Sequence, residues 1–401
     1  MDQVGRARVA VVAAFAVNGL AFASFISRTP SIGESLGLST GQLGLLLLCL
    51  SGGSILGLPL SGPVVQRLGP GRTVLAGALV ETLGLVSLAA GLLTGSVLPA
   101  AAGLFVIGLG TGVWDVAMNV GGAAVEQRLG RVLMPRLHAA FSLGTVTGAA
   151  LGAAAAATGL PLAAQLIAVV VVIPVVMLTV APRFLPGAPP EEQAAGGSVL
   201  DAWREPRTLV VGLLVLAFAF TEGSANDWIA YAMSEGYGAG ETVGAIAFGV
   251  FVTAMTIGRV FGGAALERFG RVLVLRVAAV FALVGLLMVI VGGSVPVALA
   301  GALLWGIGAS LGFPVGMSAA ADDPARAAVR VSVVSSIGYT AFLAGPPLIG
   351  LLAEDVGILR ALFVVLGALV LGLLAAGAAR PVTGTTRSAE APVPPRPSAA
   401  G

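Results

Sequence analysis

Lysine is absent from this chain of 401 residues, cysteine and histidine occur once each (Cys49 and His138), and charged side chains make up only 10% of it. Each shortage removes a class of explanation. One cysteine allows no intramolecular disulfide and no thiolate metal cluster. No His, Asp or Glu grouping has metal-ligand spacing either, so neither a metal nor another cofactor is expected. So little charge beside 57% hydrophobic residues, with a mean hydropathy of +1.01, excludes a soluble globule, in which charge approaches a quarter of the chain. The pI of 9.2 invites a nucleic-acid partner, but the 21 basic residues are all arginines scattered between apolar runs. No nucleic acid is expected; the placement of the arginines speaks to membrane orientation instead.

What is present is an apolar run long enough to span about 30 Å of hydrocarbon, repeated twelve times. The expected spans are 9–27, 41–65, 73–93, 97–120, 137–159, 162–181, 208–230, 242–266, 272–292, 296–320, 331–353 and 358–378. The runs are continuously apolar rather than alternating, which selects helices over barrel strands. With both termini cytoplasmic, Arg67, Arg72, Arg128, Arg131, Arg136, Arg183, Arg204, Arg207, Arg268, Arg271, Arg276, Arg326 and Arg330 fall inside, against Arg28 and Arg360 outside. That is the positive-inside pattern of a multi-pass plasma-membrane protein of the bacterial inner-membrane type. Arg6, Arg8 and the following apolar run up to Ala21-Phe22-Ala23 imitate a signal peptide; removing that span would leave an odd number of crossings and invert the later arginine-bearing loops.

Between Pro182 and Pro206 proline, glycine and charge interrupt the hydrophobic rhythm, which marks a cytoplasmic linker whose last part, Val199 to Trp203, is expected at the membrane surface. After Arg380 the polar tail has nothing to bury and is expected to be disordered. The chain therefore divides into a six-helix bundle over 1–181, a linker over 182–207, a second bundle over 208–379 and a tail over 380–401. Internal repetition supports the division. Gly57, Gly62, Arg67 and Gly69 recur 201 positions later as Gly258, Gly263, Arg268 and Gly270, while Gly103, Gly108 and Gly110 recur after 198 as Gly301, Gly306 and Gly308. The fold class is thus an all-α membrane protein of twelve transmembrane helices in two six-helix bundles, an architecture typical of transporters.

The segments SGPVVQRLGPGR and GGAALERFGR, which follow spans 2 and 8, resemble the signature loop of the major facilitator superfamily. The first carries Gln66 where an acid is usual; the second carries Glu267. The runs GVWDVAMNVGGAAVE, LMPRLHAAFSLG, EGSANDW and GFPVGMSAAADDP resemble a branch related to fucose permeases. That resemblance implies proton-coupled sugar import relying on carboxylates in spans 1 and 4. Here span 4 offers Asp115, whereas span 1 offers only Asn18. Span 5 lacks the proline-containing glycine motif of drug antiporters, and the GPPLIG run falls in span 11.

Between Val97 and Val125 the one ionisable side chain is Asp115, and an acid in hydrocarbon costs several kcal/mol unless it faces protein, water or a partner. Asn119 projects from the same face one turn later. In span 7, Glu222 and Asn226 share a face, with Asp227 about 100° further round. Asp115 and Glu222 are the expected proton carriers, since a carboxyl group held away from bulk water can exchange a proton in the physiological range. The expected solute contacts are Asn18, Asn119, Glu222, Asn226 and Asp227, with ring faces from Trp114, Phe141, Trp228, Trp305 and Tyr339. Each has a bland alternative: hydrogen bonding between helices for Asp115, a wetted outer position for Asp227, core or lipid packing for the rings. Glu81 is expected to pair structurally, with an arginine as a candidate partner, and His138 to pack at an interface. No enzyme signature emerges, because GLGTG at Gly108 to Gly112 lies in no βαβ unit.

These residues point to a secondary transporter that moves a small polar, sugar-like solute by alternating access, driven by protons. The alternatives are proton-driven export of amphipathic compounds and a membrane sensor, which the absence of a sizeable soluble domain in this sequence opposes. The expected partners are the solute, protons and the lipid bilayer, with the chain acting as a monomer.

Overall fold

The computed structural model describes residues 2–130, 133–185, 199–323 and 326–381. Arg131, half of the expected linker (186–198) and nearly all of the expected tail lie outside the described residues. The first half contains α1 (Gln3–Ile26), α2 (Thr29–Leu36), α3 (Thr40–Leu68), α4 (Pro70–Thr94), α5 (Val97–Leu129), α6 (Met134–Ala157) and α7 (Leu162–Val180). The second contains α8 (Val199–Ala202), α9 (Pro206–Tyr231), α10 (Glu241–Phe269), α11 (Arg271–Val291), α12 (Val295–Ala309), α13 (Gly312–Ala320), α14 (Ala327–Val356), α15 (Ile358–Ala361) and α16 (Phe363–Ala375). Counting α12 with α13 and α15 with α16, twelve segments are long and apolar enough to cross a membrane, and no strand occurs among the described residues.

Two features depart from the expected boundaries. Helix α5 continues to Leu129 rather than stopping at 120, because hydropathy reports where the hydrocarbon ends and not where helix-forming residues do. The short helix α2 occupies a segment expected to be a loop. Proline in its first turn forfeits no hydrogen bond, and Gly37, at φ +62°, ends it in the left-handed conformation that favours glycine. In the linker, Ala202 is buried with Val329 and Val333 while Trp203 stays exposed.

Apolar side chains gain little by leaving lipid for a neighbouring helix, so the bundles rest on close backbone approach at small residues. The glycine repeat is the sequence trace of that approach. A Cβ on Gly103 would lie 2.7 Å from the Gly84 carbonyl oxygen, and one on Gly301 would lie 2.5 Å from that of Gly285. Likewise a Cβ on Gly108 would lie 1.9 Å from the Leu50 carbonyl oxygen, and one on Gly306 2.3 Å from that of Phe251. The same crossings, α4 on α5 and α3 on α5, are therefore built twice, as α11 on α12 and α10 on α12.

Between the bundles, α3 packs on α14 and α6 on α10, and their polar links cluster toward one end. Arg28, which connects α1 to α2, grips Glu241 at the start of α10 in a bidentate pair, Nε to Oε1 at 2.8 Å and Nη2 to Oε2 at 2.6 Å. Its Nη1 donates to the Leu160 carbonyl at 2.8 Å and to Gln165 Oε1 at 3.2 Å, and Ser31 Oγ also donates to Glu241. Nearby, Glu354 of α14 accepts from Ser39 Oγ and from the Gly41 amide at the N-terminus of α3, where unsatisfied N–H groups favour an anion. Thr40 bonds Tyr231 at 3.1 Å, and deeper in, Ser51 Oγ donates to the Phe342 carbonyl at 2.7 Å.

At the opposite, arginine-rich end the recorded ion pairs stay within the second half. Asp322 joins Arg207 and Arg271, Glu205 joins Arg326 and Arg330, and Arg330 also reaches Asp323. The hydrogen bond and charge of Arg330 hold the Glu205 carboxyl below its ordinary range. The two halves are thus latched together at the Arg28 end, while these ion pairs at the other end join residues of the second half.

Substitution of Gly108 by Ala should cost about 1–3 kcal/mol, as overpacking does, whereas Gly62→Ala, which meets nothing within 4 Å, should be neutral or slightly stabilising. Thermal melts of the detergent-solubilised protein distinguish them. Arg28→Ala removes charge-assisted hydrogen bonds worth about 1.5–3 kcal/mol, enough to shift a latched population at least about tenfold. Spin labels at Ser35→Cys and Glu235→Cys in a Cys49→Ser background should then report longer distances, and an unchanged distribution would refute the latch.

Candidate functional site

Polar groups from both bundles meet on the open side of the latch. In α5, Asp115 is half-buried, and Asn119 one turn on donates from Nδ2 to the Asp115 carbonyl at 2.9 Å and to Oδ1 at 3.4 Å. No cation pairs with Asp115 among the described residues. Its charge acts on Tyr339 of α14, in the other bundle. Tyr339 stands in an aromatic row between Phe313 and Phe342, with centroids at 6.4 and 6.3 Å. Below Tyr339 the exposed residues Ser332 and Ser336, with Thr340 one further turn on, run along α14 at four-residue spacing.

In α9, Glu222 does not stand alone. Arg259 of α10 donates from Nη2 to Oε1 at 2.9 Å and to Oε2 at 3.1 Å, and from Nε to the Ser310 carbonyl at 3.3 Å. The Arg259 side chain is 32% exposed and that of Glu222 15%, so the pair is not sealed in the core. Arg259 is the residue the sequence reading passed over. Its signal was as plain as that of Asp115: an ionisable group inside an apolar span, where only the arginines near loops had been used to set orientation. Across the gap, the exposed His138 ring of α6 packs edge-on against Phe15, with centroids 5.4 Å apart, and lies near enough for the charge of Arg259 to act on it. It packs as expected, but beside a charged group of the other bundle.

Several expected contacts are not brought to this gap. Trp114, Trp228 and Trp305 are fully buried, with their indole nitrogens unpartnered. Trp305 packs on Phe251 and Trp228 on Tyr231, and a Cβ on Gly350 would touch the Trp228 ring at 3.1 Å. The rings fill helix crossings and offer no face to a solute in this conformation. Asn18 is also buried, its amide nitrogen without a partner. Asn226 and Phe141 are half-buried, as is Asp227, which has no hydrogen-bond partner among the described residues. Glu81 pairs with no arginine; it is fully buried between α4 and α5 and accepts from Thr111 Oγ1 at 3.1 Å. Among the described residues no cluster of three or more His, Cys, Asp or Glu is placed to hold a metal. A nearly apolar cleft lined by Val146, Ala149, Ala153, Gly249, Val250 and Ile257 lies between α6 and α10, apart from the polar gap.

Comparison with known proteins gives this arrangement its context. The chain is 31% identical over 372 residues to an uncharacterized MFS-type transporter of Yersinia pestis, covering 92% of this chain and 94% of that one. Its fold is similar to that of a variant of the nucleoside transporter NupG (TM-score 0.74, 13% identity, 94% of this chain and 100% of that one). It is also similar to the fucose:proton symporter FucP of E. coli (TM-score 0.61, 15% identity, 93% and 98%). The Major Facilitator Superfamily sequence profile matches residues 11–225 and again 214–400. With both halves matched and twelve helices of the corresponding fold, the chain belongs to the Major Facilitator Superfamily of membrane transporters.

Proposed function

We propose that this transporter carries a small polar, sugar-like solute across a bacterial-type plasma membrane, coupled to protons, by rocking its two bundles about the gap between α5, α6, α9, α10 and α14. The observation that supports this is that ionisable groups inside the spans lie near the other bundle, Asp115 near Tyr339 and His138 near Arg259, which pairs with Glu222. With the arginine-rich end and both termini cytoplasmic, the conformation described is inward-facing, and the Arg28–Glu241 latch is the closed outer gate. Asp115 is the proton carrier, because it has no cationic partner and in hydrocarbon surroundings must be neutralised, hydrated or bound. Glu222 takes part in coupling through its exchangeable pair with Arg259. Asn119, Asn226, Phe141 and Tyr339 contact the solute. Asn18, Asp227 and Trp228 reach it only if rocking exposes them.

A pH difference of one unit is worth about 1.4 kcal/mol per proton, which sustains roughly a tenfold solute gradient at one proton per solute. In liposomes, a solute identified by thermal-shift screening should accumulate to that order under an imposed proton gradient. Asp115→Asn should retain solute counterflow and lose the gradient-driven accumulation. Undiminished accumulation by that variant removes Asp115 from the coupling.

A further inference from the structure

We propose that the transported solute carries an oxyanion, a carboxylate or a phosphate, which binds between Arg259 of one bundle and His138 of the other. This rests on the transport function proposed above and narrows its substrate class.

Arg28 and Arg259 each grip a carboxylate on a different helix, and their geometries differ in kind. Arg28 spends every nitrogen: Nε and Nη2 take the two oxygens of Glu241, Nη1 takes Leu160 and Gln165, and the side chain is 3% exposed. That is a closed structural pair. Arg259 leaves its fork half used. A single nitrogen, Nη2, serves both oxygens of Glu222, Nε makes a long bond to the Ser310 carbonyl, and Nη1 has no partner among the described residues. A third of the side chain is exposed. A planar fork with a free edge fits a second oxyanion, the recognition at which arginine excels.

Helix register brings the second half of the site level with it. Helices α6 and α10 run antiparallel and touch where a Cβ on Gly249 would lie 3.6 Å from that of Ala149. From that contact toward the arginine-rich end, His138 is 11 residues away (149 − 138) and Arg259 is 10 (259 − 249). Along the helix axes these are about 16 and 15 Å. Eleven residues are also about three full turns, so His138 faces the same way as Ala149. Ten residues fall about 80° short of three turns, so Arg259 projects to one side of that contact line; Phe15 backs the His138 ring, and Arg259 lies near enough for its charge to act on it.

The charges around the gap give such an anion a consequence. Arg259 and Glu222 cancel in the empty protein, so an arriving anion competes with Glu222 for the guanidinium and meets the unpaired Asp115 opposite Tyr339. Both conflicts disappear when the carboxyl groups carry protons. An oxyanion held by both bundles also draws their separated ends together, which a solute bound to one bundle does not do.

Isothermal titration of the purified full-length protein with matched probes tests this: glucose against glucuronate and glucose phosphate, and uridine against uridine monophosphate. An anionic member should bind at least about tenfold more tightly than its neutral counterpart, and Arg259→Gln should weaken that binding about tenfold or more. His138→Gln should weaken it less. Glu222→Gln should tighten it, because the internal competitor is gone; a merely structural pair would give the opposite result, so this variant decides even if Arg259→Gln fails to fold. Equal or tighter binding of the neutral members, no binding by any anion, or no gain in Glu222→Gln overturns the proposal. Neutral probes that bind and enter vesicles would sink the anion site and leave transport standing, whereas anions that bind without crossing would do the reverse.

Discussion

Hydrocarbon does not solvate a carboxylate or a guanidinium, and the distribution of this chain's few charges follows from that. An ionised side chain within a span has to be paired, hydrated or neutral. Glu81 is fully buried, with Thr111 its one hydrogen-bond partner among the described residues. Glu222 and Arg259 pair with each other. Asp115 has neither a cation nor full burial and looks toward the other bundle. Because lipid contact is unfavourable for all of them, these groups are held by protein, Glu81 inside the first bundle and Glu222 with Arg259 inside the second.

The scaffold around that space is duplicated, and the chemistry is not. The glycine crossings repeat across the halves with nearly the same geometry, since close approach is the main attraction available between helices in lipid. The ionisable residues sit where the repeat fails. With the 201-residue offset Glu81 corresponds to Ala282 and Arg259 to Leu58, and with the 198-residue offset Asp115 corresponds to Phe313. Duplication supplies two similar rigid bodies; single departures from symmetry supply the charges that distinguish them.

The contacts between the bodies add polar links to close packing. Close approach occurs here too: a Cβ on Gly44 of α3 would lie 2.5 Å from the Pro346 carbonyl oxygen of α14. The latch beside it consists of hydrogen bonds and ion pairs, with Glu241 23% exposed and Glu354 also exposed. Groups that water can reach exchange their partners for water at small net cost. The interface can therefore open without loss of either bundle, as alternating access requires.

By itself the sequence determined the class, the number of spans, their order, the duplication and the presence of acids inside spans 4 and 7. Each depends on local hydrophobicity and spacing, which the membrane enforces residue by residue. It also contains Arg259, an ionisable group inside an apolar span like Asp115. The direction each helix faces was decided by the tertiary structure alone. In water an apolar stripe marks the buried face of a helix; in lipid both faces are apolar, and the sequence carries no such mark. Hence the tryptophans expected at the solute turned into the helix crossings, Asn18 was buried, and His138 came to lie near Arg259, a proximity that a separation of 121 positions (259 − 138) conceals.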